Sequence, residues 1–112
     1  MNATDRSGVI PLSEVRAKLP GLSGSLHVLK RMTLDAKLNC LTPPNELASQ
    51  AQDEIYVVID GRGIFVHGEH RDRIEPGDFL FVAAATEHVF VNFENLILWR
   101  IYYCPDGAEV PI

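Results

Sequence analysis

Residues 26 to 103 consist almost entirely of short stretches in which apolar and polar residues alternate, or in which apolar residues form brief runs. The clearest alternation runs from Met32 to Cys40, where every second residue is apolar. This is the period of a half-buried β-strand. By the same criteria, further strands are predicted over residues 26–29, 54–59, 64–67, 70–74, 79–82, 89–91 and 96–103.

Turn-forming residues separate these predicted strands. Asp60-Gly61 and Pro76-Gly77-Asp78 are typical turn sequences, and Gly68-Glu69 suits a two-residue type II′ hairpin because glycine stands first. The consecutive prolines Pro43 and Pro44 end the alternating segment, since proline cannot donate a hydrogen bond within a sheet. About eight short strands joined by such turns predict an all-β fold, an antiparallel barrel or sandwich.

The N-terminal residues have a different pattern. Val9–Leu12 is predicted to add an edge strand, and Ser13 is predicted to cap a short helix that ends at Leu19. No second helical period follows. We therefore divide the chain into an N-terminal arm, residues 1–24, and a barrel domain, residues 25–112.

The composition argues against several classes of protein. The chain has 112 residues, with 10 Lys and Arg against 15 Asp and Glu, and a formal net charge of −5. This length suits one domain, and an acidic chain without a basic run is not expected to bind nucleic acid. No apolar stretch approaches the roughly 18 residues of a membrane span. The N-terminus lacks a signal-peptide pattern, and Cys40 and Cys104 are too far apart to form a metal-spaced pair, so we expect a cytoplasmic protein.

Two segments carry recognisable motifs. In the first, Glu54 is followed after six residues by Gly61. In the second, residues 76–78 (Pro-Gly-Asp) precede His88, and Asn92 follows four positions later. Together and in this order they resemble the two motifs of the cupin superfamily.

The resemblance spans about Leu26 to Tyr103, most of the chain. It implies an antiparallel cupin-type double-stranded β-helix, a jelly-roll barrel, preceded by a short irregular or helical segment. One departure is the stretch Ala83-Ala84-Ala85, where the family commonly has Pro and Gly. The turn before His88 must therefore be formed without glycine.

In the cupin family the two motifs supply metal ligands, usually a His-x-His pair and a Glu from the first motif and one His from the second. Glu54 and His88 match their motif positions. The positions of the histidine pair fall, according to the spacing chosen, on Leu47 and Ser49 or on Ala48 and Gln50. No histidine stands at either pair, although Gln50 matches the single position that some small bacterial cupins retain.

One imidazole, one carboxylate and one neutral amide form a weak ligand set for a first-row transition metal. No cofactor is therefore firmly predicted. A divalent ion (Fe, Mn, Ni or Zn) held by Gln50, Glu54 and His88 remains the lesser alternative.

Glu54 and His88 are the candidate catalytic residues, because the two motif positions converge inside the family's barrel. A neutral imidazole beside a carboxylate can transfer protons near pH 7. Alternate residues of a strand point to the same face, so Tyr56 joins Glu54, while Phe90 and Asn92 join His88.

The last predicted strand carries an arginine among apolar residues. Arg100 shares a face with Leu98 and Tyr102. It would either clamp an anionic ligand or pair with a carboxylate at a subunit interface, and we favour the second. The candidate ligand-binding residues are Gln50, Tyr56, Phe90, Asn92, Arg100 and Tyr102.

Several predicted strands are apolar on both faces, for example at residues 55–58 and 99–103. A lone barrel needs only one apolar face on each strand, so the excess predicts a second buried face. A two-fold homodimer, also common among cupins, would bury it.

Three functions follow from the resemblance, because the fold alone does not determine the chemistry. The favoured one is a module that binds a small polar molecule and lacks a full transition-metal site. The second is a metal-free isomerase, epimerase or lyase in which His88 and Glu54 move protons. The third is a metal-dependent oxygenase or isomerase with a reduced ligand set.

Overall fold

Two antiparallel β-sheets and one short helix make up a computed structural model of the chain, which describes residues 8–19, 24–45 and 47–103. The elements are α1 (Leu12–Ala17), β1 (Gly24–Arg31), β2 (Leu34–Leu41), β3 (Glu54–Asp60), β4 (Gly63–His67), β5 (His70–Ile74), β6 (Phe79–Val82), β7 (His88–Val91) and β8 (Leu96–Tyr102). The order is β1-β2-β8-β3-β6 in the five-stranded sheet and β5-β4-β7 in the other. The prediction of an antiparallel all-β fold is confirmed.

The main core lies between the two sheets. Strand β3 shows why: Glu54, Tyr56 and Val58 alternate with half-buried residues and are themselves buried. A strand with this period turns one face entirely inward. The buried apolar residues of this core are Tyr56, Val58, Phe65, Ile74, Leu80, Val82, Phe90, Phe93, Leu96 and Leu98.

A second, smaller core covers the outer face of the five-stranded sheet. Its buried members are Val15 from α1, Val28 from β1, Leu38 and Cys40 from β2, and Ile97 from β8. Part of the second apolar face that the sequence predicts is therefore covered by the chain's own N-terminal segment.

Another part of that outer face stays open on the edge strand β6, where Phe79 and Phe81 are 66% and 57% exposed. These two side chains lie opposite Val57 and Ile55 of β3. The homodimer remains a prediction, and this smaller area is the part of the outer face that it would have to bury.

The N-terminal segment differs from the prediction in three respects: the strand, the helix cap and the end of the helix. Residues 9–11 form no strand, and Leu12 already begins α1. Pro11 occupies the N-cap without a side-chain hydrogen bond, so Ser13 lies inside the helix and the predicted cap is wrong. The backbone oxygen of Pro11 accepts from Glu14 and Val15, which places the helix start before Ser13.

The helix α1 has only 6 residues and ends at Ala17 rather than at Leu19. No helix within the described ranges is long and apolar enough to cross a membrane. Cys40 is buried in the second core, whereas Cys104 lies outside the described residues.

Several turns depend on residues with positive φ. Gly68 has a φ of 57° in the two-residue hairpin between His67 and His70, as predicted. Met32 has a φ of 53° and is 86% exposed, so it belongs to the β1–β2 turn and not to the strand predicted from it. Ala85 takes a φ of 66° in the turn before His88, the position where a glycine would be unstrained.

Candidate functional site: a buried polar network beside a small cavity

Four polar side chains from three strands meet inside the barrel. Glu54 and Tyr56 come from β3, His88 from β7 and Arg100 from β8. Tyr56 lies opposite Arg100 in the β3–β8 register, which brings the two side chains onto one inner face. Glu54 is 1% exposed and His88 is 4% exposed, so these polar groups are almost completely removed from water.

Arg100 holds the carboxylate of Glu54. Its Nε donates to Glu54 Oε2 over 2.6 Å, and the two side chains are 18% and 0% exposed. A charged group buried to this degree needs a partner of opposite charge. The expectation that Arg100 pairs with a carboxylate at a subunit interface is therefore wrong in its location, because the carboxylate lies inside the same barrel.

The Tyr56 hydroxyl links the carboxylate to the imidazole. It lies 3.3 Å from Glu54 Oε2 and 3.1 Å from His88 Nε2. The direct distance from Glu54 Oε1 to His88 Nε2 is 3.8 Å, too long for a hydrogen bond. The two predicted catalytic residues are thus brought together, but through Tyr56.

The backbone determines which ring nitrogen of His88 carries a proton. His88 Nδ1 lies 3.0 Å from the Thr86 carbonyl oxygen, which can only accept, so Nδ1 is the donor. In the neutral ring Nε2 then accepts from the Tyr56 hydroxyl. In the protonated ring Nε2 donates to Tyr56, which passes its own hydrogen bond to Glu54.

Burial and neighbouring charges determine the protonation of Tyr56 and Arg100. Burial raises the pKa of Tyr56 well above its ordinary value, Arg100 opposes this rise and Glu54 adds to it. Burial acts to lower the pKa of Arg100, but the attraction of the Glu54 carboxylate and of Tyr56 in its ionised form outweighs burial, and the pKa is raised. At neutral pH the site therefore holds a neutral phenol and a guanidinium cation.

A cavity of about 160 Å³ opens beside this network. An engineered apolar cavity of about 150 Å³ is large enough to bind benzene, so this one suits a molecule of roughly six to ten non-hydrogen atoms. Glu54 lies behind its partners and does not line the space. The lining residues are Asn39, Leu41, Asn45, Ala48, Gln50, Tyr56, His88, Phe90 and Arg100.

The segment that replaces the histidine pair of the motif forms one wall of the cavity. Ala48 pairs with His88 through two backbone hydrogen bonds of 2.9 and 3.1 Å. Ala48 and Gln50 line the cavity, whereas Leu47 is 58% exposed. The shorter of the two motif spacings therefore corresponds to the inward-facing positions.

Two candidate ligand residues are not brought into the cavity. Strand β7 ends at Val91, and Asn92 has a φ of 55° and is exposed, so the alternation that placed it beside His88 and Phe90 is interrupted. Tyr102 is not among the lining residues. Its ring lies 5.0 Å from the guanidinium carbon of Arg100, and it supports that side chain from outside the cavity.

The sequence did not identify two polar residues of the lining, Asn39 and Asn45. Asn39 lies on the polar side of the alternation in β2, which the sequence suggests faces solvent, but this side faces the cavity. Asn45 follows the two prolines, and its Oδ1 accepts from the backbone N–H of Phe90 over 2.9 Å. One feature of the sequence could have indicated that Asn39 is buried. The strands that pair with β2 are apolar on both faces, so a polar residue on either face of β2 can be covered.

The residues around Glu54 and His88 do not fit a transition-metal ion of the kind that the motifs imply. Within the described ranges, no group of three or more His, Cys, Asp or Glu side chains is arranged to hold a metal. Tyr56 already engages the available nitrogen of His88, and a divalent ion at Glu54 would lie beside the charge of Arg100.

Comparison of the sequence with family models gives no match. Among curated proteins, the HTH-type transcriptional activator RhaR of Yersinia pseudotuberculosis is 38% identical over 57 residues, 51% of this chain and 20% of the activator. RhaR of Enterobacter sp. is 30% identical over 72 residues, 62% of this chain and 26% of the activator. The chain thus matches about a fifth to a quarter of the length of these relatives.

Solved structures resemble the chain over most of its length. A cupin-2 domain containing protein from Shewanella frigidimarina superposes with a TM-score of 0.75 at 14% identity, covering 86% of this chain and 95% of that one. The protein BH2720 from Bacillus halodurans gives a TM-score of 0.74 at 17% identity, covering 96% and 88%. Likenesses at such identities concern the fold, and they confirm the one implied by the two sequence motifs.

Proposed function

We propose that this chain, which has the fold of the cupin superfamily, binds a small polar organic molecule in the cavity beside Arg100 without a transition metal. It would act as a binding or sensory module. The observation that carries the proposal is a cavity of about 160 Å³ whose polar wall is built on a buried ion pair.

The energetics of the network support a binding role. Glu54 and Arg100 are costly to bury, and replacing such a pair by apolar residues is often neutral or stabilising. A chain that needed only stability would therefore have little reason to keep them. The pair holds Arg100 in position at the cavity wall, which is what recognition of a polar molecule requires.

The curated relatives agree with a sensory role. The matched proteins are described as transcriptional activators, and the match covers only part of them. Such proteins are commonly controlled by a small molecule that binds to one of their domains. We therefore propose that this domain regulates activity by binding a ligand.

A proton-transfer enzyme is the second candidate, and the Tyr56 hydroxyl is the observation that favours it. Tyr56 is within hydrogen-bond distance of both Glu54 and His88, so a proton can pass along the three groups. The substitution His88→Ala separates the two functions. An isomerase, epimerase or lyase should lose turnover by about a hundredfold or more and still bind its ligand, whereas a binding module should only lose affinity.

A thermal-shift screen of small polar molecules tests the binding proposal, with cavity-filling variants as the specificity control. A ligand at 100 times its Kd stabilises the folded state by about 2.7 kcal/mol, which raises Tm by roughly 10 °C or more in a domain of this size. Ala48→Phe, or the milder Ala48→Leu, fills the cavity without removing a polar group, so the shift should disappear. Leu47→Phe adds the same ring at an exposed neighbour and should keep it. An equal shift in both classes of variant would place binding elsewhere and refute the proposal.

A further inference from the structure

We infer that the molecule bound in this cavity is a small organic acid whose carboxylate faces Arg100. The inference rests on the binding function proposed above and adds the chemical class of the ligand. It depends on which polar atoms of the lining are already used by the protein and which are left for a ligand.

The two asparagines of the lining present donors to the cavity. The backbone N–H of Phe90 donates to Asn45 Oδ1 over 2.9 Å, and because an N–H cannot accept, the amide oxygen is used and the NH₂ group is left. Asn39 Oδ1 accepts from the Ser25 hydroxyl over 2.8 Å, which leaves its NH₂ group in the same way.

Two cationic side chains are neighbours at the Arg100 end of the cavity, with Arg100 in its lining and Lys37 beside Arg100 rather than among the lining residues. The hydrogen bond to Glu54 uses Nε and leaves the terminal guanidinium nitrogens. Lys37 of β2 stands directly opposite Arg100 in the strand register, and the ring of Tyr102 lies within 5.5 Å of Lys37 Nζ. Like charges directly opposite each other are destabilising, and an anion between them would offset the repulsion.

The nearby carboxylates are directed to other groups, although Glu54 Oε1 and Asp35 Oδ1 have no hydrogen-bond partner among the described residues. Glu54 is held by Arg100, and Asp35, which also faces inward on β2, lies 3.2 Å from His27 Nδ1. Neither forms a salt bridge with Lys37 among the described residues. Arg100 already has Glu54 as its partner, so Lys37 is the cation that a ligand carboxylate would neutralise.

Acceptors for a ligand are scarce in the described lining. Nε2 of the neutral His88 ring accepts from the Tyr56 hydroxyl, so the remaining side-chain acceptors are the Tyr56 oxygen and the amide oxygen of Gln50. A sugar or polyol carries a donor with every hydroxyl and would leave several of them unpaired. A carboxylate only accepts, and it matches a wall of NH₂ and guanidinium donors.

The remaining wall and the volume limit the rest of the ligand. Leu41, Ala48 and Phe90 form an apolar side that suits a short carbon chain. The volume of about 160 Å³ leaves no room for a nucleotide or a sugar phosphate. An inorganic anion would fit but would leave the apolar side without contact. A short-chain acid with at most one or two further polar groups fits both sides.

Calorimetric titration with matched pairs of compounds tests the inference on the whole chain. The probes are butyrate against butyramide and L-lactate against L-lactamide, with glycerol and inorganic phosphate as further arms. Each acid should bind about tenfold more tightly than its amide, because charge-assisted hydrogen bonds are roughly twice as strong as neutral ones.

Two lysine variants provide the matched control. Lys37→Gln removes the charge opposite Arg100 and should reduce the preference for acids several-fold, while the Glu54–Arg100 pair stays in place. Lys30→Gln makes the same change on the exposed part of β1 and should leave the preference intact. Equal losses in both variants would show a general charge effect and overturn the inference.

The other arms separate failure of the inference from failure of the proposed function. Amides or glycerol binding as tightly as the acids would overturn the carboxylate assignment while leaving the binding function in place. Inorganic phosphate binding as tightly as butyrate would overturn the requirement for a carbon chain. If no arm binds at millimolar concentration, and the screen of polar molecules is also negative, the proposed function itself fails.

Discussion

Removing the charge of Arg100 should destabilise the protein far more than removing an arginine from a surface pair. In Arg100→Leu, the carboxylate of Glu54 stays fully buried and loses its 2.6 Å donor. Among the described residues, its remaining hydrogen-bond partner is the Tyr56 hydroxyl at 3.3 Å, which can also donate to His88 instead. The variant therefore leaves a buried charge with little compensation.

Two estimates of the magnitude agree. A pair of unit charges about 4 Å apart in an environment of effective dielectric constant near 20 attracts by about 4 kcal/mol. Breaking buried ion pairs by removing one partner costs about 3–5 kcal/mol in other proteins. The 18% exposure of Arg100 favours the lower end, so we expect a loss of about 3 kcal/mol in the free energy of unfolding.

Urea unfolding at neutral pH measures this loss. Arg16→Leu is the matched control, because Arg16 pairs with Asp60 over 3.4 Å at side-chain exposures of 43% and 58%. Such surface pairs contribute at most about 1 kcal/mol. The double variant Glu54→Leu/Arg100→Leu should recover most of the loss, since no unpaired charge remains. Equal effects of the two single variants would refute the description of a buried pair.

Three other predictions concern the phenol and the backbone. Burial raises the pKa of Tyr56 above its ordinary value of 10.0, so its contribution to stability is complete below pH 10 and is lost at higher pH, as the unfolded chain ionises first. Urea unfolding between about pH 9 and pH 11 should show the free energy of unfolding falling with a slope that approaches 1.4 kcal/mol per pH unit, and this slope should be smaller in Tyr56→Phe. Parallel curves for the two proteins would contradict this. Gly61→Ala should cost well over the roughly 1–2 kcal/mol expected of Gly68→Ala, because both have positive φ but only at Gly61 would the Cβ clash with a backbone oxygen, that of Asn95. Ala85→Gly should raise the free energy of unfolding by about 1 kcal/mol, because glycine adopts the φ of 66° at this position without strain. The control Ala83→Gly should lower the free energy of unfolding. A lower free energy of unfolding in both variants would show that the turn is unstrained.

Strand periodicity was sufficient to predict much of the site. The period of two placed Glu54 with Tyr56, and Arg100 on one face with Leu98 and Tyr102, because these strands are long and regular. It did not determine that this face of β8 lies inside the barrel. The same rule was wrong for Asn92, because β7 ends one residue earlier and the chain turns there with positive φ. A local rule cannot detect where a strand ends when the turn contains no glycine or proline.

The rest of the site depends on contacts between distant segments. Asn45 lines the cavity because the backbone of Phe90, 45 positions later, fixes its amide. Asn39 looks like a solvent-facing residue until the second sheet covers that face. Leu38 and Cys40 are the apolar residues of the alternation in β2, so the sequence suggests that they face the main core. They lie instead on the outer face of the sheet, where α1 packs over them, and this is why both faces of β2 are buried.

Chemical-shift mapping of the ¹⁵N-labelled protein during titration with butyrate tests the central claim most directly. We predict saturable changes that are largest at the backbone amides of Gln50, His88 and Phe90, which surround the cavity, and their loss in Ala48→Phe. Changes confined to the open outer face around Phe79 and Phe81, or unaffected when the cavity is filled, would contradict the claim that a small polar molecule binds beside the Arg100–Glu54 pair.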